Sequence, residues 1–283
     1  TSAKLTAMSK RSSHVSPIPI TNSANTSLAL LLVGFFVWIT YAYGGAHAAL
    51  PNFKYEGEMW MYDISSLYPS IMIYYNFFSR NISKEKRRMY VETYFDRLAC
   101  KCKNNNELKK VRERELNFFK THTEYGEFVD NTDYSIEHKP NKQQANDAKL
   151  VLNTSFGTYG DQYSKLYDKR MGNNICIAGQ MIMTVLIERL EPYIKLINVN
   201  TDGIYFIPNP DSKDTILSII SQWEKETLMS GELEKAVKLN QKDVNNYILL
   251  EDNGTIKTKG GMTRQYIGLK DQPIRQSLAV LDD

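Results

Sequence analysis

Residues 62–70 read Tyr-Asp-Ile-Ser-Ser-Leu-Tyr-Pro-Ser, and the rest of the chain can be interpreted outward from them. An apolar strand is predicted over residues 59–64, and it carries the carboxylate of Asp63 at its end. Pro69 then presets the backbone for the first turn of a helix. In such a turn the backbone N–H groups of Ser66, Leu67 and Tyr68 point outward together and can bind phosphate oxygens. A carboxylate beside a phosphate-binding turn indicates Mg²⁺.

A second carboxylate, Asp202, lies at the predicted tip of a hairpin. Residues 195–208 contain two apolar strands joined by the tight turn Thr201-Asp202-Gly203. The strand-turn-helix and the hairpin would hold Asp63 and Asp202 face to face. A lone aspartate at a strand end is usually a turn or capping residue, so the pairing carries the prediction of a catalytic site.

A third segment, residues 149–160, places polar and aromatic side chains at helical spacing. Lys149, Asn153 and Phe156 recur along one face of the predicted helix. Lysine can bind a phosphate as a point charge, the amide can hydrogen-bond a sugar or phosphate, and a flat ring can support a base pair.

These three segments resemble motifs A, B and C of family B DNA polymerases. The family patterns are Asp-x-x-Ser-Leu-Tyr-Pro-Ser, Lys-x-x-x-Asn-Ser-x-Tyr-Gly and Asp-Thr-Asp-Ser. Motif A matches fully, and motif B matches at Lys149, Asn153 and Gly157, with Thr154 and Phe156 in place of serine and tyrosine.

Motif C departs from the family pattern. It reads Asn200-Thr201-Asp202-Gly203, so an asparagine replaces the first aspartate and a glycine replaces the serine. The carboxylate that binds both metals in the family is kept as Asp202. The Asn-Thr-Asp-Gly form is similar to that of some tailed-phage polymerases, and we interpret it as a lineage feature.

The resemblance implies a set of site residues. Asp63 and Asp202 would be the catalytic carboxylates, and with the Ile64 carbonyl they would bind two Mg²⁺ ions, for which Mn²⁺ could substitute. The implied dNTP-binding residues are Ser66, Leu67, Tyr68, Lys142, Lys149, Asn153 and Phe156. Tyr68 occupies the position of the family's sugar steric gate, while Lys139 and Lys142 are alternatives for a second triphosphate contact.

The implied DNA-binding residues come from three further stretches and motif C. Gly44-Gly45-Ala46-His47 resembles a Gly-Gly element that touches the template, and residues 244–248 stand where the family has a Lys-x-Tyr primer-end motif. The lysines of residues 254–261 would follow the DNA backbone. The predicted set is Gly44, Gly45, Asn200, Thr201, Asn245, Tyr247, Lys257 and Lys259.

The order of elements predicts an α+β fold, a family B polymerase palm with a ferredoxin-like antiparallel sheet and a helical fingers insertion. We expect an unassigned segment at 1–43, palm at 44–75, fingers at 76–158, palm at 159–250 and a truncated thumb at 251–283. The fingers would be two antiparallel helices, one over 83–124 and one from 142 through motif B. Further helices are predicted over 174–193 and from a cap at Ser212 to 229, with strands at 236–239 and 244–250.

Composition adds little to these motifs. A net charge of +3 permits a nucleic-acid partner without requiring one, and three cysteines give neither a disulfide framework nor a zinc site. The apolar run at residues 28–43 is either a signal peptide or short membrane anchor, or a buried strand or non-homologous start. We expect no proofreading exonuclease ahead of residue 44 and a cytoplasmic location, that of the host if the chain is phage-encoded.

The expected function is therefore a template-directed DNA polymerase core for phage or plasmid replication. Its expected partners are primer–template DNA and dNTPs, with a terminal protein or other replication proteins as candidates and a membrane disfavoured. The alternatives are a non-catalytic nucleic-acid-binding polymerase remnant and a membrane-anchored protein.

Overall fold

The computed structural model describes residues 26–32, 35–42 and 44–260. Its backbone is organised around a nine-stranded sheet in which every neighbouring pair is antiparallel. The strands are β1 (Thr26–Leu32), β2 (Phe35–Ala42), β3 (Gly45–Ala49), β4 (Phe53–Ile64), β5 (Ile194–Asn200), β6 (Gly203–Pro208), β7 (Gly231–Asp243), β8 (Asn246–Glu251) and β9 (Ile256–Lys259).

The middle of the sheet has the predicted ferredoxin-like topology. The spatial order is β1-β2-β3-β5-β6-β4-β7-β8-β9. Its four central strands occur along the chain as β4, the β5–β6 hairpin and β7, with helices between them. This is the split βαβ arrangement. This confirms the α+β fold class. The predicted strands at 236–239 and 244–250 correspond to the longer β7 and to β8.

Six α-helices accompany the sheet in the described chain. They are α1 (Leu67–Tyr74), α2 (Lys84–Lys101), α3 (Asn105–Thr121), α4 (Lys142–Gly157), α5 (Lys169–Leu190) and α6 (Lys213–Thr227). The prediction of one long helix over 83–124 was wrong, because the chain breaks at residues 102–104. Asn104 caps α3 by accepting a hydrogen bond from the Glu107 N–H, and Glu107 accepts one from the Lys103 N–H. The expected two-helix finger therefore contains three helices.

Alternation along β4 gives the sheet two apolar faces. Trp60 and Tyr62 belong to the large core cluster shared with the helices, whereas Met59 and Met61 belong to a smaller cluster on the opposite face. The Tyr62 hydroxyl donates to Glu224 on α6 at 2.8 Å, which ties that helix to the sheet. The strand that carries Asp63 is thus fixed from both sides.

Within the apolar run, residues 28–32 and 35–42 lie in β-strands. β1 pairs with β2, β2 pairs with β3, and Ile39 is fully buried. Among the described residues there is no helix with the length and apolar character needed to cross a membrane. Of the alternatives for this run, the strand interpretation agrees with the structure.

The long helix α5 begins earlier than residue 174. Asp168 caps it by accepting a hydrogen bond from the Met171 N–H at 3.1 Å. The helix ends at Leu190, and a short 3₁₀ turn at Glu191–Tyr193 leads into β5. α5 therefore delivers the chain directly to the hairpin that carries Asp202.

Candidate active site

The pairing of β4 with the β5–β6 hairpin brings the two predicted carboxylates together. Asp63 stands opposite Gly203 in the ladder, and the Ile64 N–H donates to the Asp202 carbonyl at 2.7 Å. Both carboxylates line a cleft of about 720 Å³. Ile64, which the resemblance implied as a carbonyl ligand, lines the same cleft.

Gly203 allows this close approach. A Cβ atom at position 203 would lie 2.0 Å from Asp63 Oδ1, so any side chain there would displace the carboxylate from its present position. The absence of a side chain at Gly203 therefore permits the present orientation of Asp63.

The cleft concentrates negative charge. Partial burial, together with repulsion from Asp202 and Glu234, raises the pKa of Asp63 to about 6. Burial also raises the pKa of Asp202, although the nearby Lys149 and Lys259 oppose that shift. Two facing carboxylates with raised pKa values favour a divalent cation, which would stabilise both ionised forms.

The available ligands suit Mg²⁺, which usually keeps several water ligands, better than a metal ion whose ligands all come from protein side chains. Within the described chain there is no cluster of three or more His, Cys, Asp or Glu side chains that could hold an ion. Two carboxylates and one carbonyl leave coordination positions for water and substrate phosphates, which is the usual arrangement for Mg²⁺.

The start of α1 forms the second wall of the cleft. Ser66 has a left-handed backbone conformation, with φ of 56°, and ends β4 with a sharp turn into the helix. Ser66, Leu67 and Tyr68 all line the cleft. The free N–H groups of a helix N-terminus attract anions, so this wall can bind phosphate.

Helix α4 supplies the third wall. Lys149, Asn153 and Phe156 line the cleft together, as their helical spacing predicted. The rings of Phe156 and Tyr68 pack with their centroids 4.5 Å apart and their planes tilted by 32°. The Tyr68 hydroxyl donates to the Gly44 carbonyl, so Tyr68 is held at both its ring and its hydroxyl.

Asn200 has a partner on the neighbouring strand. It stands opposite His47 in the β3–β5 ladder. Burial lowers the pKa of His47, which favours the neutral imidazole. A neutral amide beside a neutral imidazole is compatible with this environment, whereas a third carboxylate would add to the negative charge around Asp63 and Asp202.

Several cleft residues were missed by the sequence reasoning. Arg97 on α2 reaches the cleft and donates to the Ser66 hydroxyl. Its Nε is buried without a hydrogen-bond partner in the described chain, and burial lowers its pKa. The sequence did carry a signal, because Arg97 follows the buried Tyr90 and Tyr94 at helical spacing. The other lining residues outside the predicted set are Ser65, Pro69, Lys101, Tyr205, Glu232 and Glu234.

Four predicted contact residues do not line the cleft: Lys142, Gly44, Gly45 and Asn245. Lys142 is the exposed first residue of α4, so the geometry of the cleft does not support it as a triphosphate contact. Gly45 packs against Thr201, and Asn245 is exposed in the turn after β7.

The predicted DNA contacts on β8 and β9 have different surroundings. Lys257 lines the cleft but pairs with Glu234 at 2.5 Å and Glu251 at 2.6 Å, so its charge is already balanced. Lys259 lines the cleft and lies close enough to Asp202 and Asp63 for its charge to attract both carboxylates. Tyr247 shares a 2.9 Å hydrogen bond with Tyr205, and their rings meet edge to face.

Comparison with known proteins finds similarity to solved structures. No family model matches the chain, and no curated protein matches it. Among solved structures, the chain is similar to the family B DNA polymerase from the hyperthermophilic archaeon Pyrobaculum calidifontis, with 12% identity and a TM-score of 0.46. The match covers 86% of this chain and 30% of the archaeal chain.

Proposed function

We propose that this chain is the palm and fingers core of a family B DNA polymerase, a template-directed nucleotidyltransferase. One observation carries the proposal: Asp63 and Asp202 face each other in a cleft whose other walls are a helix N-terminus and the Lys149 face of α4. The motif resemblance, including the Asn200 departure, supports the family assignment.

The reaction would join a primer 3′-OH to the α-phosphorus of a dNTP. The O3′–Pα bond forms, the bond from Pα to the bridging β-phosphate oxygen breaks, and pyrophosphate leaves with that electron pair. The proton of the 3′-OH passes to solvent. Asp63, Asp202 and the Ile64 carbonyl would hold two Mg²⁺ ions, which when bound lower the pKa of the 3′-OH and neutralise the triphosphate.

The chain's own cations and N–H groups would bind the triphosphate. Lys149 reaches the cleft from α4, and Arg97 reaches it from α2 beside Ser66. The Arg97 guanidinium, which donates to the Ser66 hydroxyl, can also donate to a phosphate oxygen that the phosphate-binding turn holds. Arg97 therefore replaces Lys139 and Lys142 as our candidate for the second basic contact.

The aromatic pair would recognise the sugar and the nascent base pair. Phe156 and Asn153 would line the base pair, while Tyr68 stacks below the sugar. Because Tyr68 is held against Phe156 and bonded to the Gly44 carbonyl, it cannot move aside easily for a 2′-OH. Gly44 thus acts through Tyr68, and Gly45 through Thr201. The remaining DNA contacts that we propose are Asn200, Thr201, Tyr247 and Lys259.

The biological setting is proposed from motif C and the Gly-Gly element. Both resemble features of phage and protein-primed relatives, so we propose replication of a phage or linear plasmid in the cytoplasm of the host. A terminal protein is the corresponding candidate partner, and Mn²⁺ is the expected substitute ion.

Asn200 favours a second candidate function. Without the first carboxylate of motif C, the cleft could grip primer–template DNA without catalysing incorporation. The cleft's Lys149, Arg97 and Lys259 would still bind phosphates in such a remnant.

Primer extension on four hairpins, each with a different first template base, separates these candidates. Each dNTP is supplied singly with Mg²⁺ or Mn²⁺, and binding of the same hairpins is measured in parallel. Incorporation of the complementary nucleotide on each template is the expected result. Salt-sensitive binding with no incorporation under either metal would instead support the remnant.

A further inference from the structure

We propose that residues 161–168, the tyrosine loop, together with the first residues of α5, form a binding surface for the single-stranded 5′ overhang of a nucleic acid. This inference rests on the proposed function, because it gives the unpaired template a path away from the cleft. The loop starts five residues after Phe156, which lines the cleft, and only a 3₁₀ turn at Thr158–Gly160 separates them.

The loop presents aromatic rings to solvent. Tyr163 is 88% exposed and Tyr167 is 38% exposed, whereas Leu166 between them packs against the core. A tyrosine ring that stays outside the core is available for stacking on an unpaired base. Every base has a flat face, so this kind of contact does not depend on sequence.

Cations stand beside these rings. Lys165, Lys169 and Arg170 are exposed, and none of them forms an ion pair with a carboxylate in the part of the chain that the structure describes. Of the two carboxylates in the loop, Asp168 is paired with Arg80 at 2.9 Å and Asp161 is exposed, so the three cations outnumber the one exposed carboxylate. The surface is therefore positively charged, and it alternates aromatic and basic side chains as single-strand binding surfaces do.

The loop is held in place before any ligand binds. Asp168 is buried, accepts hydrogen bonds from the Arg80 N–H and the Met171 N–H, and caps α5. The Asn81 side-chain amide donates to the Tyr167 carbonyl at 2.8 Å. Little ordering entropy would be lost when the rings stack on bases, because the backbone that carries them is already fixed.

Equilibrium binding of labelled hairpins to the full 283-residue chain tests this surface. One hairpin has a blunt stem and the other has the same stem with a ten-nucleotide 5′ overhang, and neither metal nor dNTP is added. We expect tighter binding of the overhang hairpin by wild type, and a loss of about tenfold in that preference in Tyr163→Ala/Tyr167→Ala. Blunt-hairpin affinity should stay within about twofold.

Tyr75→Ala is the matched control, because Tyr75 is 36% exposed and its hydroxyl donates to the Thr227 carbonyl at the end of α6. It should keep the full overhang preference. Lys165→Gln should lower the slope of log affinity against log salt by about 0.7 for the overhang hairpin, the value for one single-strand phosphate contact.

Two results would overturn the inference. Equal overhang preference in wild type and Tyr163→Ala/Tyr167→Ala would show that the rings do not bind the strand. A wild-type protein with no overhang preference would exclude the surface altogether. The polymerase activity is tested separately, with a hairpin that has a one-nucleotide overhang. Template-directed extension of that hairpin would support the proposed polymerase activity even if the binding surface were excluded. Failure to extend it would count against the polymerase activity.

Discussion

Replacement of Gly45 by alanine should disturb the turn that carries Asp202. The new Cβ would lie 2.6 Å from Thr201 Oγ1 and 2.9 Å from both Thr201 Cβ and Cγ2. Ordinary contact begins at 3.4 Å, so these atoms must separate by about 0.5–0.8 Å. Thr201 cannot simply rotate away, because its Cβ is part of the contact and a β-branched side chain is stiff at χ1.

The displacement would reach the active site through the backbone. The Thr201 N–H donates to the Ala46 carbonyl at 2.9 Å, so the turn and β3 are joined where the clash occurs. Asp202 is the next residue. A shift approaching 1 Å in a catalytic group costs about 100-fold in rate, so we expect incorporation to fall about 10- to 100-fold. The overpacking itself should lower the free energy of unfolding by about 1–3 kcal/mol.

A rescue variant makes the prediction specific. Thr201 has φ of 47°, a conformation that glycine adopts without strain, and Thr201→Gly removes every atom in the clash. The double variant Gly45→Ala/Thr201→Gly should therefore have nearly the same single-turnover incorporation rate as Thr201→Gly alone. Its free energy of unfolding in urea should also be nearly the same. Undiminished activity and stability in Gly45→Ala, or a double variant no better than Gly45→Ala, would refute the reasoning.

Three further predictions concern Asp168, Glu115 and Arg97. Asp168→Ala should lower the free energy of unfolding in urea by about 2–4 kcal/mol, because it leaves two backbone N–H groups unpaired; a loss below about 1 kcal/mol would contradict this. Burial raises the pKa of Glu115 from 4.5 to about 7, so the folded state binds this proton more tightly and stability declines as pH rises through that window. Glu115→Gln should remove up to about 3 kcal/mol of that decline in the free energy of unfolding. Parallel pH–stability curves for wild type and Glu115→Gln would show that Glu115 does not have a raised pKa. Arg97→Ala should raise KM for dNTP about 10- to 100-fold with unchanged hairpin affinity, as expected for loss of a charged hydrogen bond to phosphate, and an unchanged KM would remove Arg97 from the triphosphate site.

The central part of the fold was predictable because its signals are local. A strand-turn-helix at Asp63, a hairpin at Asp202 and a helical face at Lys149 each fit within a short segment. Their order along the chain then restricts the sheet to few topologies. Asp63, Asp202 and Lys149 meet in one cleft for this reason.

Long-range pairing was not predictable in the same way. β3 pairs with β5 although about 150 residues separate them, and no local pattern shows that the N-terminal strands extend the palm sheet. The break between α2 and α3 was different, because Asn104 and Glu107 stand at capping-box spacing and could have been recognised. Arg97 was missed because it is one of many basic residues in its segment, and only its spacing from the buried tyrosines distinguishes it.

The proposed activity depends most directly on Asp63 and Asp202 as metal-binding carboxylates. The decisive measurement is single-nucleotide incorporation into a labelled hairpin with Mg²⁺ or Mn²⁺ by wild type, Asp63→Asn and Asp202→Asn, with hairpin affinity measured on the same samples. Asp214→Asn, an exposed acid in the first turn of α6, is the matched control. We expect metal-dependent incorporation in wild type and the control, none in either cleft variant, and similar hairpin affinity in all four. Full incorporation by Asp63→Asn or Asp202→Asn would contradict the two-carboxylate site.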